Sequence, residues 1–388
     1  MPAPSPFGRG SSPSLTRSPF GRGSSPSLAR RARLALAFSL TAAACGPGPD
    51  ASRAKPAAPS ASSAPPNIAT LGASALPNVA TLDAPASPPA IASSATPPPP
   101  KRTGATHVLR PASAPFAAHP EVLVHVPEGV RADQPLGLAL FLHGWFGCVD
   151  VVAYDEGAPC RPGVGPTRIP IGVVGAFERA RVNALLVLPQ LAFDTSSSDG
   201  GRLERKGGLR ALVAEVLASA ELSQALGPGR RPDDLARVLV FAHSGAYDPL
   251  SAILAQGGLE VHEVHLLDAL YQLPPPIEQW ARASTRPLAS GAPARHRLSI
   301  IYTDREKTGP RSLAFFRQLA ASLPSGPRSA SFLESLSGAP PAEADVTHPF
   351  LLVRTMVTHE DVPRTFLGPL LRSAGLFALP EAPRGNGS

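Results

Sequence analysis

In LARVLVFAHSGAY an apolar run ends at Ala242-His243, then come Ser244, Gly245 and Ala246, and an amphipathic stretch over 248–258 follows. A strand passing straight into a helix must bend its backbone sharply. Small neighbours avoid clashes there, and the serine Oγ is thrust out at the positive end of the helix. Such a serine can act as a nucleophile if a base takes its proton, a carboxylate orients the base and N–H donors receive the oxyanion. Ala242 and Ala246 stand where G-x-S-x-G has glycine, but the strand, turn and helix that the motif requires are all present.

Ten histidines and two aspartates at the ends of apolar runs supply the remaining candidates. Asp268, in VHLLDALY, is flanked by Leu266, Leu267 and Leu270; Asp304, in IIYTDREK, adjoins Arg305, Glu306 and Lys307. An orienting carboxylate works best shielded from water, so environment favours Asp268, which must then have a partner because a lone buried carboxylate is costly. His262 and His265 lie three apart on an expected strand and point to opposite faces, so they do not form a metal pair. No other thiolate or histidine pair has ligand spacing, and neither a metal nor any cofactor is expected.

The elements that must hold these residues are short apolar strands over 122–129, 136–144, 182–190, 235–245, 259–270 and 296–304. Between or after them lie helix-length stretches over 171–181, 209–222, 248–258, 312–323 and 362–375. Near-continuous apolar strands alternating with helices imply an α/β fold: a mostly parallel sheet covered by helices on both faces. Ligand chemistry then belongs at the carboxyl ends of the strands.

Over 106–388 the chain resembles the α/β-hydrolase superfamily, on three motifs in order: HGWFG (143–147), AHSGA (242–246) and THEDV (358–362). The resemblance implies an α/β-hydrolase fold with Ser244 as nucleophile and an oxyanion hole from the Gly245 N–H and the Trp145 N–H, with Gly144 as its neighbouring motif position. It implies His359 as the base, since the family places its histidine just before the last amphipathic helix, and leaves His348 as the fallback. For the acid the resemblance favours Asp304, after the seventh strand, and allows Asp268, after the sixth. Environment tips the choice to Asp268, with Asp304 as the alternative, and His243 is read as a packing residue. Tyr247 and Tyr271 lie within three residues of Ser244 and Asp268 and are expected to line a pocket for a partly apolar or ring-bearing group, unless strand ends simply favour aromatics. DTSSSDGG (194–201) and YQLPPPIEQW (271–280) are candidate walls or lid.

Before this domain come two segments of another kind. Residues 5–15 and 18–28 both read SPFGRGSSPSL, a repeat with no apolar periodicity that reads as a genetic duplication or an early start codon. Arg30, Arg31 and Arg33, the apolar run 34–40 and Ala42-Ala43-Ala44 then form a signal peptide ahead of Cys45. Cys45 resembles the lipidated cysteine of bacterial lipoproteins; Ala42-x-Ala44 would also serve an ordinary signal peptidase, and either way the chain is expected to leave the cytoplasm. Residues 46–105 are rich in Ala, Pro and Ser, a composition unable to offset its ordering entropy, and read as a disordered tether. Cys148 and Cys160, twelve apart on an expected surface loop, are expected to form a disulfide in an oxidising compartment, reduced thiols being the alternative.

Partition also disposes of the net charge of +7. Residues 1–45 carry six Arg and no acid, whereas 106–388 carry 26 bases against 27 acids, so the basic balance is no argument for nucleic acid. The expected partners are a small-molecule ester or amide substrate and the membrane, through a lipid on Cys45. The expected activity is an exported serine hydrolase. A non-catalytic cell-envelope binding protein on the same fold, and acyl transfer to an acceptor other than water, are the alternatives.

Overall fold

The computed structural model describes residues 104–160, 167–193, 198–284, 296–304, 307–322, 330–335 and 342–380. The leader with Cys45, the linker up to 103 and residues 194–197 of the DTSSSDGG segment lie outside the described residues.

The described strands form one sheet. Six are the expected ones: β2 (Val122–Val126), β3 (Leu136–Leu142), β4 (Ala184–Pro189), β5 (Leu235–His243), β6 (Glu263–Leu267) and β7 (Arg297–Thr303). Three more, β1 (Ala105–Leu109), β8 (Ser331–Ser335) and β9 (Phe350–Thr355), were not legible as apolar runs. β1 and β8 sit at the two edges with much of their length exposed, so they lack a continuous apolar signal. The buried β9 follows Pro349 in a segment read only for its histidine. β1 begins at Ala105, so structure starts one residue inside the expected linker.

The strand order is β1-β2-β4-β3-β5-β6-β7-β9-β8. The β1–β2 and β2–β4 pairs are antiparallel and every other pair is parallel. Period-two alternation along β3 sends Leu138, Leu140 and Leu142 to one face and Ala139 and Phe141 to the other. The first face packs under α3 (Gly208–Ala218), α5 (Tyr247–Gln256), α6 (Pro275–Ser284) and α7 (Thr308–Ser322), through Leu212, Leu250, Ile277 and Phe315. The second packs under α1 (Val149–Ala153), α2 (Val173–Ala180) and α8 (Asp361–Arg372), through Val152, Phe177 and Phe366. Each such side chain contributes about 1.5–3 kcal/mol by leaving water. The chain thus has the α/β-hydrolase fold, a mostly parallel sheet with helices on both faces.

Two local departures from expectation have simple causes. The helix expected over 209–222 is broken at Ser219, whose extended backbone ends α3 and whose Oγ accepts the Leu222 N–H (3.3 Å), starting a separate helix, α4 (Ala220–Leu226). α7 starts at Thr308 instead of Ser312, which brings Thr308 to the carboxyl end of the sheet.

At the opposite end, buried Glu263 pairs with Arg237 (2.7 Å) and with Arg297. Arg297 also donates to the carbonyls of Leu370 (3.0 Å) and Ser373 (3.1 Å). The final helix, which follows His359, is thereby tied to the sheet.

Candidate active site

Ser244 sits where β5 ends, with φ +56°, a left-handed conformation that non-glycine residues rarely adopt. Asp268, just beyond β6, has φ +49°, and Phe146, in the loop after β3, has φ +55°. Three of the four described non-glycine residues with positive φ therefore lie at one end of the sheet, where the surrounding structure must hold them; the fourth, Arg181, ends α2. The loop after β3 lies hard against the serine: a Cβ on Gly144 would stand 2.4 Å from Ser244 Cβ and 2.9 Å from its Oγ.

His359 lies between β9 and α8, and its Nδ1 is 2.7 Å from Asp268 Oδ2. A carboxylate only accepts, so Nδ1 carries the proton and Nε2 the lone pair. Asp268 is fully buried and also accepts the Thr303 N–H (3.2 Å), the Thr303 hydroxyl (2.8 Å) and the Thr308 hydroxyl. Burial works to raise the carboxyl's pKa, but the hydrogen bonds from His359, Thr308 and Thr303 outweigh it, and the net shift is downward. Asp268 is therefore ionised and saturated with donors.

Two more histidines brace this arrangement. His243 Nε2–H donates to the His359 carbonyl (3.1 Å), with the two rings 4.5 Å apart. Burial lowers its pKa to about 3, so it stays neutral. His143 Nδ1–H donates to the Gly144 carbonyl (2.9 Å) while its Nε2 accepts the Leu191 N–H (2.9 Å), and burial lowers its pKa to about 4. The Gly144 carbonyl also accepts the Gly147 N–H (3.2 Å). In a trans peptide the following N–H points the opposite way, so these two bonds orient the Trp145 N–H.

Ser244 and His359 line one cavity of about 330 Å³, whose apolar wall includes Val151, Val152, Ile169 and Ile171. Cys148 and Cys160 are bonded to each other, Cα to Cα 5.6 Å, with Cys148 directly before α1. Tyr247 and Tyr271 line a neighbouring cavity with Trp145, as does part of the 271–280 segment. The described end of DTSSSDGG, including buried Ser198, lines neither.

Of the candidates, Ser244, His359, Asp268, Gly144 and Trp145 are brought together. Asp304 is not: its carboxylate is held by Arg354 Nε at 3.0 and 2.9 Å, out in solvent. His348 does not line the Ser244 cavity either. His265 is fully buried against Phe241 and His262 lies beside His296, so the two do not converge. Among the described residues no three metal-ligating side chains cluster, and no helix is long and apolar enough to cross a membrane.

Sequence reasoning missed Thr303 and Thr308, the donors that hold Asp268. Thr303 at least adjoins Asp304 at a strand end; nothing signalled Thr308, since α7 was expected to start later. His143 was seen only as part of HGWFG, and the bracing by His243 depends on a contact 116 residues away.

The sequence matches no known family model and no curated protein sequence. Solved structures with a similar course of the chain include a mutant feruloyl esterase module from Clostridium thermocellum, complexed with sinapinate, at 9% identity and TM-score 0.43, covering 71% of this chain and 89% of that one. Brefeldin A esterase, a bacterial homologue of human hormone-sensitive lipase, is similar at 15% identity and TM-score 0.36, covering 72% and 76%. A lidless α/β serine hydrolase from Xanthomonas campestris is similar at 17% identity and TM-score 0.34, covering 71% and 97%.

Proposed function

We propose that the chain is a serine hydrolase that cleaves an ester or amide of a small molecule through Ser244, His359 and Asp268. One observation carries the reading: the buried Asp268 carboxylate, 2.7 Å from His359 Nδ1, leaves the lone pair on Nε2 of an imidazole that shares a cavity with a strained serine. His359 Nε2 takes the Ser244 proton as Oγ attacks the acyl carbon. The oxyanion is received by the Gly245 and Trp145 N–H groups, donors worth about 3–4 kcal/mol each. The imidazolium then gives its proton to the leaving oxygen or nitrogen, and water, activated by the same base, releases the acyl group from Ser244.

A fluorophosphonate probe should label the wild-type protein and fail to label Ser244→Ala; equal labelling of the two would reject Ser244 as the nucleophile. We extend the proposal to export and anchoring through Cys45, which rests on the leader's composition alone. In a bacterial host, wild-type protein should incorporate labelled palmitate and Cys45→Ala should not; palmitate absent from both would leave simple secretion as the reading.

A further inference from the structure

We propose that the Trp145 indole is the wall that limits the acyl group Ser244 can accept, an inference that rests on the hydrolase reading above. The indole lies on the bare backbone of the residue after the serine. A Cβ on Gly245 would meet Trp145 Nε1 at 1.9 Å and Cδ1 at 2.1 Å. Gly245 does not have a positive φ, so its backbone conformation admits any residue. What demands glycine at this position is the indole above it.

Trp145 borders two cavities. The first, about 330 Å³, holds Ser244 and His359; the second, about 610 Å³, is lined by Tyr247, Tyr271 and Arg311. The indole stacks on Tyr271 with ring centroids 6.0 Å apart and planes 23° apart, and Tyr271 stands edge-on to His359 at 6.5 Å. Trp145 is 41% exposed, so this ring is a partition at the surface and not part of the core. The first cavity is at the lower end of the range for ligand pockets, about 300–1,000 Å³, and the second is in its middle.

Chemistry sets the direction. The leaving oxygen must face His359 to receive its proton and the carbonyl oxygen must face the Gly245 and Trp145 N–H groups, so the acyl carbon is held beside the backbone that carries the indole and on which the indole rests. With the partition in place the acyl group is confined to the Ser244 side of the ring and cannot use the space beside Tyr247 and Tyr271. Removing it joins the Ser244 site to the aromatic cavity and admits a ring-bearing acyl group.

The test compares p-nitrophenyl acetate with p-nitrophenyl 3-phenylpropanoate, which share a leaving group and differ only in the acyl part. The readout is the ratio of their kcat/KM values on one preparation, in which the concentration of active enzyme cancels, so partial misfolding of a variant does not move it. In Trp145→Ala the ratio should shift toward the bulky ester by about tenfold or more, since a single methylene of pocket space is worth roughly 10–200-fold. Gly245→Ala, which evicts the indole without deleting it, should shift the ratio the same way, while Trp145→Phe should stay near wild type. A ratio unchanged in Trp145→Ala, with fluorophosphonate labelling retained, overturns the partition and leaves the hydrolase reading standing. Absence of labelling and of turnover in the wild type overturns both.

Discussion

Replacing Asp268 by Asn tests the site at its most constrained atom. The amide nitrogen can take the place of either carboxylate oxygen. At Oδ2 it faces His359 Nδ1–H and the Thr303 hydroxyl; at Oδ1 it faces the Thr303 backbone N–H and the Thr308 hydroxyl. A hydroxyl can turn and an imidazole can move its proton to the other nitrogen, but a backbone N–H cannot become an acceptor. Leaving that buried donor opposed costs about 1–3 kcal/mol, so the amide nitrogen takes the Oδ2 place and His359 reverses its tautomer. The proton then sits on Nε2, and the lone pair that should receive the serine proton is lost. Disabling an orienting aspartate in this way lowers kcat by about 10⁴, or roughly 5 kcal/mol of barrier. Asp304→Asn removes only an exposed pair with Arg354, worth about 0–1 kcal/mol, and should leave kcat within a few-fold. The assay is steady-state hydrolysis of p-nitrophenyl acetate, normalised to active protein by urea-melt amplitude and circular dichroism. An Asp268→Asn variant within tenfold of wild type, beside an Asp304→Asn variant down by orders of magnitude, would refute the reasoning.

Acid should destabilise the domain well above the carboxylate range. Burial lowers the pKa values of His143, His243 and His265 to about 4, 3 and 4 from an ordinary 6.5. As pH falls below 6.5 the unfolded chain takes up protons that the folded one refuses, so at pH 5.5 each histidine has removed about 1.4 kcal/mol, together about 4 kcal/mol. The depressed Asp268 carboxyl adds a further loss below its ordinary 3.8. Urea midpoints that coincide at pH 7.5 and 5.5 would contradict this. Gly144→Ala puts a methyl against Ser244 and should lower kcat by about 10², the usual cost of displacing a reacting atom by about an ångström; near wild-type turnover would show that the loop can yield. Replacing both Cys148 and Cys160 by Ser should lower unfolding free energy by about 3 kcal/mol, and thiol reductant should lower the wild type's to match; melts insensitive to both would mean that the bond does not constrain the unfolded chain.

Local pattern made much of this protein legible. Apolar runs bounded by small residues mark β2 to β7, because a strand buried on both faces must be apolar almost throughout. The same rule made β1 and β8 invisible: edge strands are half exposed and do not carry that signature. The turn at Ser244 was readable because an elbow is a local device, built from a strand, three small neighbours and a helix within 22 residues, Leu235 to Gln256. The carboxylate beside His359 was only half readable. Leucines around Asp268 and charges around Asp304 pointed the right way, but composition can say that a carboxylate is buried and not what it faces. That depends on parallel strands aligning residues 91 apart in sequence, and on α7 starting early enough for Thr308 to reach Asp268. The sequence by itself determined six of the strands and most of the helices between them, where the chain must turn at Ser244, and that the charge belongs to the leader and linker. Only the tertiary structure decided which histidine faces a buried carboxylate and which merely brace, and that one indole stands on Gly245 between two cavities. The physical reason is range: propensity, apolar period and turn chemistry act over a few residues, whereas desolvation, hydrogen-bond partnership and steric exclusion are properties of atoms brought together by the whole sheet.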